Sequence, residues 1–238
     1  MLVLKEISKN YEKKVILDNV NITLPKGKMV CLLGKNGVGK STLIKIITGI
    51  LFQDKGVAEI SGYNIIDNPI EYKSKFGYVS DDYNIFLNLT GLEYLNFIAD
   101  IYNIEEDIAA DKISELTEYL DIKNDLNGRM CTYSKGMKQK TMIVASIIHN
   151  PDLLILDEPF NGLDPESVFK VKELLRLLVK ENKTILFSTH ILEVAQNLSD
   201  IVLILHNKNI VSNLEMATFL KDKNNNLEQI FLDITKSM

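Results

Sequence analysis

Apolar residues recur along this chain in three spacings, and each predicts a different kind of element. Leu2–Ser8 and Val20–Leu24 alternate apolar with polar residues, the period-two pattern of strands buried on one face. Val57–Ile60 and Phe76–Val79 read as further short strands, and Met29–Leu33 as a strand-like apolar run. Leu153–Leu156, Thr184–Phe187 and Ile201–Leu205 are nearly unbroken apolar runs, suited to parallel strands covered on both faces. Helical spacing fills the intervals. A helix-forming stretch follows at Leu43–Ile47, and Thr90-Gly91-Leu92-Glu93 is a capping box opening a helix through Tyr102. Further helical patterns run from about Ile108 to Leu120 and from Ser134 to His149. Asp164 and Pro165 are the N-cap and first residue of a helix to Asn182, with a stripe of Val168, Val171, Leu174, Leu175 and Leu178. From Leu214 the tail is helical at best, with a solvated turn at Lys221–Asn226.

Strands, then a helical block, then alternating strand and helix imply an α/β core. It carries an N-terminal antiparallel β layer and an inserted helical subdomain, about residues 88–150, within one domain over 1–238. At 238 residues the chain is long enough for a substantial core. A net charge of −5 argues against a dominant nucleic-acid surface, so no nucleic acid is expected as a partner. The N-terminus lacks the apolar core of a signal peptide. No apolar run reaches the roughly 20 residues that span a bilayer; Met142–Leu156 is interrupted by His149-Asn150-Pro151-Asp152. The chain is expected to be soluble, with any membrane role exerted through a partner. Cys31 and Cys131 have no metal-site or disulfide spacing and read as small apolar filler in a reducing cytosol.

The chemistry begins after Met29–Leu33, at Gly34-Lys35-Asn36-Gly37-Val38-Gly39-Lys40-Ser41-Thr42. Strand, glycine-rich turn and helix are the context of a phosphate-binding P-loop. Its N–H groups and the positive end of the new helix would face an anion. Lys40 would reach the β- and γ-phosphates, and the Ser41 hydroxyl would ligate Mg²⁺. Leu153–Leu156 ends in Asp157 and Glu158, at the carboxyl end of a parallel strand where ligands bind. Asp157 is placed to hold the metal and Glu158 to polarise an attacking water. Ser188-Thr189-His190 ends the next buried strand, where His190 could hydrogen-bond the γ-phosphate and the water. Ser134-Lys135-Gly136-Met137 opens a helix with a serine hydroxyl, a second anion-binding turn far from the first. Two half-sites for one phosphate chain are both explained if two chains complete each other across a two-fold axis.

With these residues the chain resembles the ATP-binding cassette (ABC) ATPases over nearly its whole length. Gly34–Thr42 corresponds to the family's Walker A motif, and Leu153–Glu158 to Walker B with its catalytic acid. Ser134–Met137 falls at the signature, usually Ser-Gly-Gly-Gln, Asn161–Asp164 at the D-loop, and His190 at the switch histidine. Tyr11 corresponds to the aromatic residue that stacks on adenine. Two departures stand out: Lys135 and Met137 replace a Gly and the Gln of the signature, and Asp81 replaces the usual Gln ahead of the helical subdomain. A carboxylate there can ligate Mg²⁺, but adds negative charge beside the triphosphate. With Asn88–Gly91, these features look like ATPases serving ABC-2-type export permeases.

The resemblance implies a P-loop NTPase (RecA-like) core and a homodimer or heterodimer of ATPase subunits. Two Mg-ATP would be sandwiched head to tail. Lys40, the loop residues Gly34, Asn36, Gly37, Gly39, Ser41 and Thr42, and Tyr11 would grip ATP from one side, while Ser134 and Gly136 close it from the other. Ser41, Asp81 and Asp157 would hold Mg²⁺; Glu158, His190 and Lys40 would be catalytic; Asp164 would belong to the D-loop. Hydrolysis would drive integral-membrane permease subunits from the inner face of the cell membrane. A P-loop kinase or GTPase would leave Ser134–Met137 and His190 idle. A non-transport ABC ATPase acting on a ribosome or DNA is the other alternative.

Overall fold

The computed structural model describes residues 1–12, 14–83, 86–222 and 225–236. The chain opens with β1 (Leu2–Tyr11), β2 (Lys14–Leu24) and β3 (Met29–Leu33), then α1 (Lys40–Ile47), β4 (Lys55–Ile60), β5 (Tyr63–Asn64), α2 (Pro69–Ser74) and β6 (Phe76–Val79). Three helices follow: α3 (Gly91–Ile101), α4 (Glu106–Tyr119) and α5 (Lys135–Ile147). The chain then alternates β7 (Leu153–Leu156), α6 (Pro165–Lys180), β8 (Thr184–Thr189), α7 (Leu192–Leu198) and β9 (Ile201–His206). It closes with β10 (Asn209–Glu215), α8 (Met216–Phe219) and α9 (Leu227–Lys236).

The two strand patterns build two sheets. The alternating strands form an antiparallel sheet of order β2-β1-β4-β5, with Leu2 opposite Leu24 and Leu4 opposite Ile22. The unbroken runs form a sheet of order β10-β9-β3-β8-β7-β6, parallel except for β10. Both faces of β3 are covered, which is why its sequence does not alternate. Val30 and Leu32 pack with Leu4, Leu24 and Ile44 under the antiparallel sheet. Cys31 and Leu33 face the other way, into a core shared with Leu95, Ile113, Ile143 and Val171 from the helices. Each such side chain contributes about 1.5–3 kcal/mol on burial. The α/β class with an antiparallel layer is as expected.

At Gly77 in β6, an added Cβ would lie 1.8 Å from the carbonyl oxygen of Ser146. No side chain fits there, so α5 lies backbone against backbone on the edge of the sheet that also carries the strand-end acids.

The differences from expectation are local. β1 and β2 run longer than their clean alternation, through bulges near Ile7 and Lys9 that shift the side-chain period. Leu214 lies in β10 rather than in a helix, and helix resumes only at Met216 and Leu227. Within the predicted turn Lys221–Asn226, residues 223 and 224 lie outside the described residues. Short α2 and α7 hold too few turns for a periodicity to register. Cys31 is buried filler, but Cys131 is exposed, because it sits in a 3₁₀ turn whose N–H is tied to Leu87. Among the described residues no helix is long and apolar enough to cross a membrane.

Candidate active site

β3 delivers Gly34 and α1 begins at Lys40, so the loop between them turns within six residues of chain whose glycines carry the strain. Gly37 and Gly39 have φ of 77° and 115°, in the region that favours glycine. Gly39 is the N-cap of α1 and no side chain caps the helix, which leaves its first N–H groups to a ligand. Lys40 is only 6 % exposed. Its Nζ donates to the carbonyls of Gly34 (2.8 Å) and Lys35 (3.3 Å) and lies 3.8 Å from Glu158 Oε1. Burial pushes the Lys40 pKa down, opposed by the charges of Glu158 and Asp157.

Asp157, at the end of β7, is fully buried. Its Oδ1 accepts a hydrogen bond from Ser188, while Oδ2 has no partner among the described residues. Burial raises its pKa, and hydrogen bonds from Ser188 and Ser41 oppose the rise. Glu158 follows with φ of 49°, a left-handed conformation uncommon outside glycine. The Glu158 N–H donates to Ser188 Oγ (3.0 Å), and its Oε1 accepts from His190 Nδ1 (2.9 Å). Ser188 therefore serves both acids at once. Asn36, Gly37, Gly39, Lys40, Ser41, Thr42, Asp81 and Glu158 line one cavity of about 240 Å³. A larger hollow of about 610 Å³ between α3 and α4 contains none of them.

Other expected residues stand apart from this cavity. Tyr11 ends β1, 46 % exposed. Ser134 caps α5, its hydroxyl accepting from the Met137 N–H (3.1 Å). Gly136 faces the Gly162 carbonyl. Asp164 caps α6, accepting from Ser167 N–H (2.9 Å) and Oγ (2.6 Å), which hold its carboxyl down at about 2. Sequence reasoning gave no role to Ser188, although a polar residue two before His190 in an apolar strand shares its face. It also passed over Gln139, fully buried on α5.

A profile described as ABC transporter matches residues 17–161. The chain belongs to the ABC transporter family. It is 31 % identical to the ABC transporter ATP-binding protein NatA of Bacillus subtilis, over 98 % of this chain and 97 % of that protein. It is 32 % identical to the lantibiotic transport ATP-binding protein SrtF of Streptococcus pyogenes, over 97 % and 96 % respectively. A solved ATP-binding subunit of an ABC transporter superposes with a TM-score of 0.92 at 32 % identity, covering 98 % of this chain and 99 % of the other. As a member of the ABC transporter family the chain is an ATPase, and nucleotide binding comes with that membership.

Proposed function

We propose that this chain is the ATP-hydrolysing subunit of an ABC exporter and works as a head-to-tail pair on a separate membrane permease. The observation that carries the reading is the convergence of Lys40, Ser41, Asp81 and Glu158 on one cavity rimmed by the uncapped start of α1, with His190 bonded to Glu158 and Asp157 tied to it through Ser188. The loop amides and Lys40 bind the phosphate chain, and Tyr11 stacks on adenine. Glu158 takes a proton from the attacking water, and His190 Nδ1–H fixes the orientation of the Glu158 carboxylate. Lys40 offsets charge on the transferred phosphoryl group.

The residues present fit Mg²⁺. Asp157 Oδ2 is buried without a partner among the described residues, and the Ser41 hydroxyl and the Asp81 carboxylate add hard oxygen donors. Among the described residues no group of three His, Cys, Asp or Glu forms a metal cage. That suits an ion that takes much of its shell from phosphate and water. Bound there, Mg²⁺ would neutralise charge on the β- and γ-phosphates. Asp157, Ser41 and Asp81 would hold it.

Ser134 and Gly136 close the nucleotide of the opposing chain. The Ser134 hydroxyl, already accepting from Met137 N–H, keeps its own proton free to donate to a phosphate. The permease would dock near the helices, where Phe86 and Phe97 are exposed beside Leu87 and Leu89 in an open groove. Export follows the ABC-2-type features at Asp81, Asn88–Gly91 and Ser134–Met137, together with the transport role named for the lantibiotic relative.

The test is Glu158→Gln in the purified protein. Hydrolysis should fall by roughly 10²–10⁴ while Mg-ATP binding survives. The trapped variant should sediment as a dimer with Mg-ATP and as a monomer without. Near-normal turnover would remove Glu158 as the base.

A further inference from the structure

We propose that Gln139 is a positioning residue that holds Glu158 in its working conformation from the signature helix of the same chain. This rests on the reading of Glu158 as general base. Glu158 adopts φ of 49°, which an ordinary side chain keeps only when its surroundings over-determine it. Its N–H is fixed by Ser188 Oγ at 3.0 Å, and its carbonyl accepts from Asn161 N–H at 3.2 Å. Pro159 comes next, and its carbonyl accepts from Gln139 Nε2 at 3.0 Å. Because only the amide nitrogen can donate to a carbonyl, the orientation of the Gln139 side chain is settled.

Gln139 is 0 % exposed, and its Oε1 has no hydrogen-bond partner among the described residues. A buried amide with one end unsatisfied is unfavourable for stability, and an apolar side chain of the same length would fill the space as well. What such a side chain lacks is the donor to Pro159. The rest of the helix face supports the same turn. Lys135, one turn earlier on α5, lays its stem so close to Gly162 that a Cβ there would come within 2.5 Å of Lys135 Cδ. The Lys135 ammonium stands 4.9 Å from the centre of the Tyr83 ring. Gly136, between them, faces the Gly162 carbonyl. The α5 face therefore braces the turn from Pro159 to Gly162, immediately after Glu158. Since Ser134 caps α5, the helix that contacts the opposing nucleotide also holds the base of its own chain.

Gln139→Met in the full-length chain separates positioning from packing. We expect kcat to fall about tenfold with KM and Mg-ATP affinity unchanged. The melting temperature should stay level or rise, since the unpaired Oε1 leaves with the side chain. In a Glu158→Gln background the same change should lower the residual rate no further. A wild-type kcat, or a tenfold loss that persists in that background, overturns the inference. So does a fall in melting temperature accompanied by a rise in KM, the pattern of a packing role. If the Met variant does not fold, Gln139→Asn, which withdraws the donor by one methylene, takes the same readouts and decides. Near-normal turnover of Glu158→Gln alone would instead remove the base assignment, an outcome distinct from the failure of Gln139.

Discussion

In the proposed reading two helix N-termini carry the phosphate chemistry, and they are built differently. The start of α1 has a glycine N-cap with φ of 115°, no side-chain cap, a buried lysine and a cavity in front of it. The start of α5 has an exposed serine cap that already satisfies the Met137 N–H, whereas at α1 Glu158 stands 3.8 Å from Lys40. In the proposed reading the first is complete within one chain, and the second is a lid for a nucleotide that another chain holds. A third terminus sharpens the contrast: α3 is closed by a full capping box, with Thr90 and Glu93 each accepting from the other's backbone, and reads as structural only.

Lys40→Ala strikes the complete terminus and should have the largest effect, abolishing measurable Mg-ATP affinity. Lys45→Ala, on the exposed side of the same helix, should leave affinity unchanged. Equal losses in a nucleotide titration would break the distinction. Ser134→Arg strikes the lid. Binding to the monomer should persist, whereas ATP-dependent dimerisation, read by sedimentation, and hydrolysis should both be lost. Mixing it with Lys40→Ala should restore some activity, because both defects can fall in one composite site and leave the other intact.

Smaller effects test what holds these termini in place. Just past the end of α5, His149 stacks on Tyr102 at 3.7 Å and donates from Nε2 to the Phe76 carbonyl. Burial pushes its pKa down to about 4 from 6.5. The unfolded chain therefore takes up a proton at a higher pH than the folded one. The stability this residue contributes is full above about pH 6.5 and is lost as pH falls toward 4. At pH 5 the loss is at most about 2 kcal/mol. His149→Phe should flatten the melting temperature between pH 7 and pH 5, and a slope identical to the wild type would discard the argument. Thr90→Ala should lower stability by about 1 kcal/mol, or about 2–4 °C in melting temperature, with unchanged turnover. A loss of activity there would mean that α3 takes part in more than support.

The sheet strands were legible because burial on two faces leaves an unbroken apolar run, and Met29–Leu33 and Leu153–Leu156 begin and end as expected. The helix starts at Thr90, Ser134 and Asp164 were legible through their caps, each of which makes the hydrogen bond its side chain suggests. Strand β10 was hidden because its solvated face breaks the hydrophobic run, and α7 because seven residues hold barely two turns. In the site, P-loop and strand-end acids announce themselves by residue type and local order. Ser188 and Gln139 do not, since their value lies in contacts across 30 and 20 residues of sequence that only the fold creates. The closeness of Lys135 to Gly162 is of the same kind. Its letter reads as a departure from glycine, while its stem fills space that a glycine further along leaves open.

The contact at Gly77 has a mechanical consequence. With only 1.8 Å available for a Cβ before the Ser146 carbonyl, the strand acts as a fulcrum near one end of α5, a stiff rod about 20 Å long with Ser134 at its tip. A single methyl group at position 77 would tilt that rod. The displacement would be felt at the tip, where the proposed reading sets a second chain's nucleotide, far along the helix from position 77.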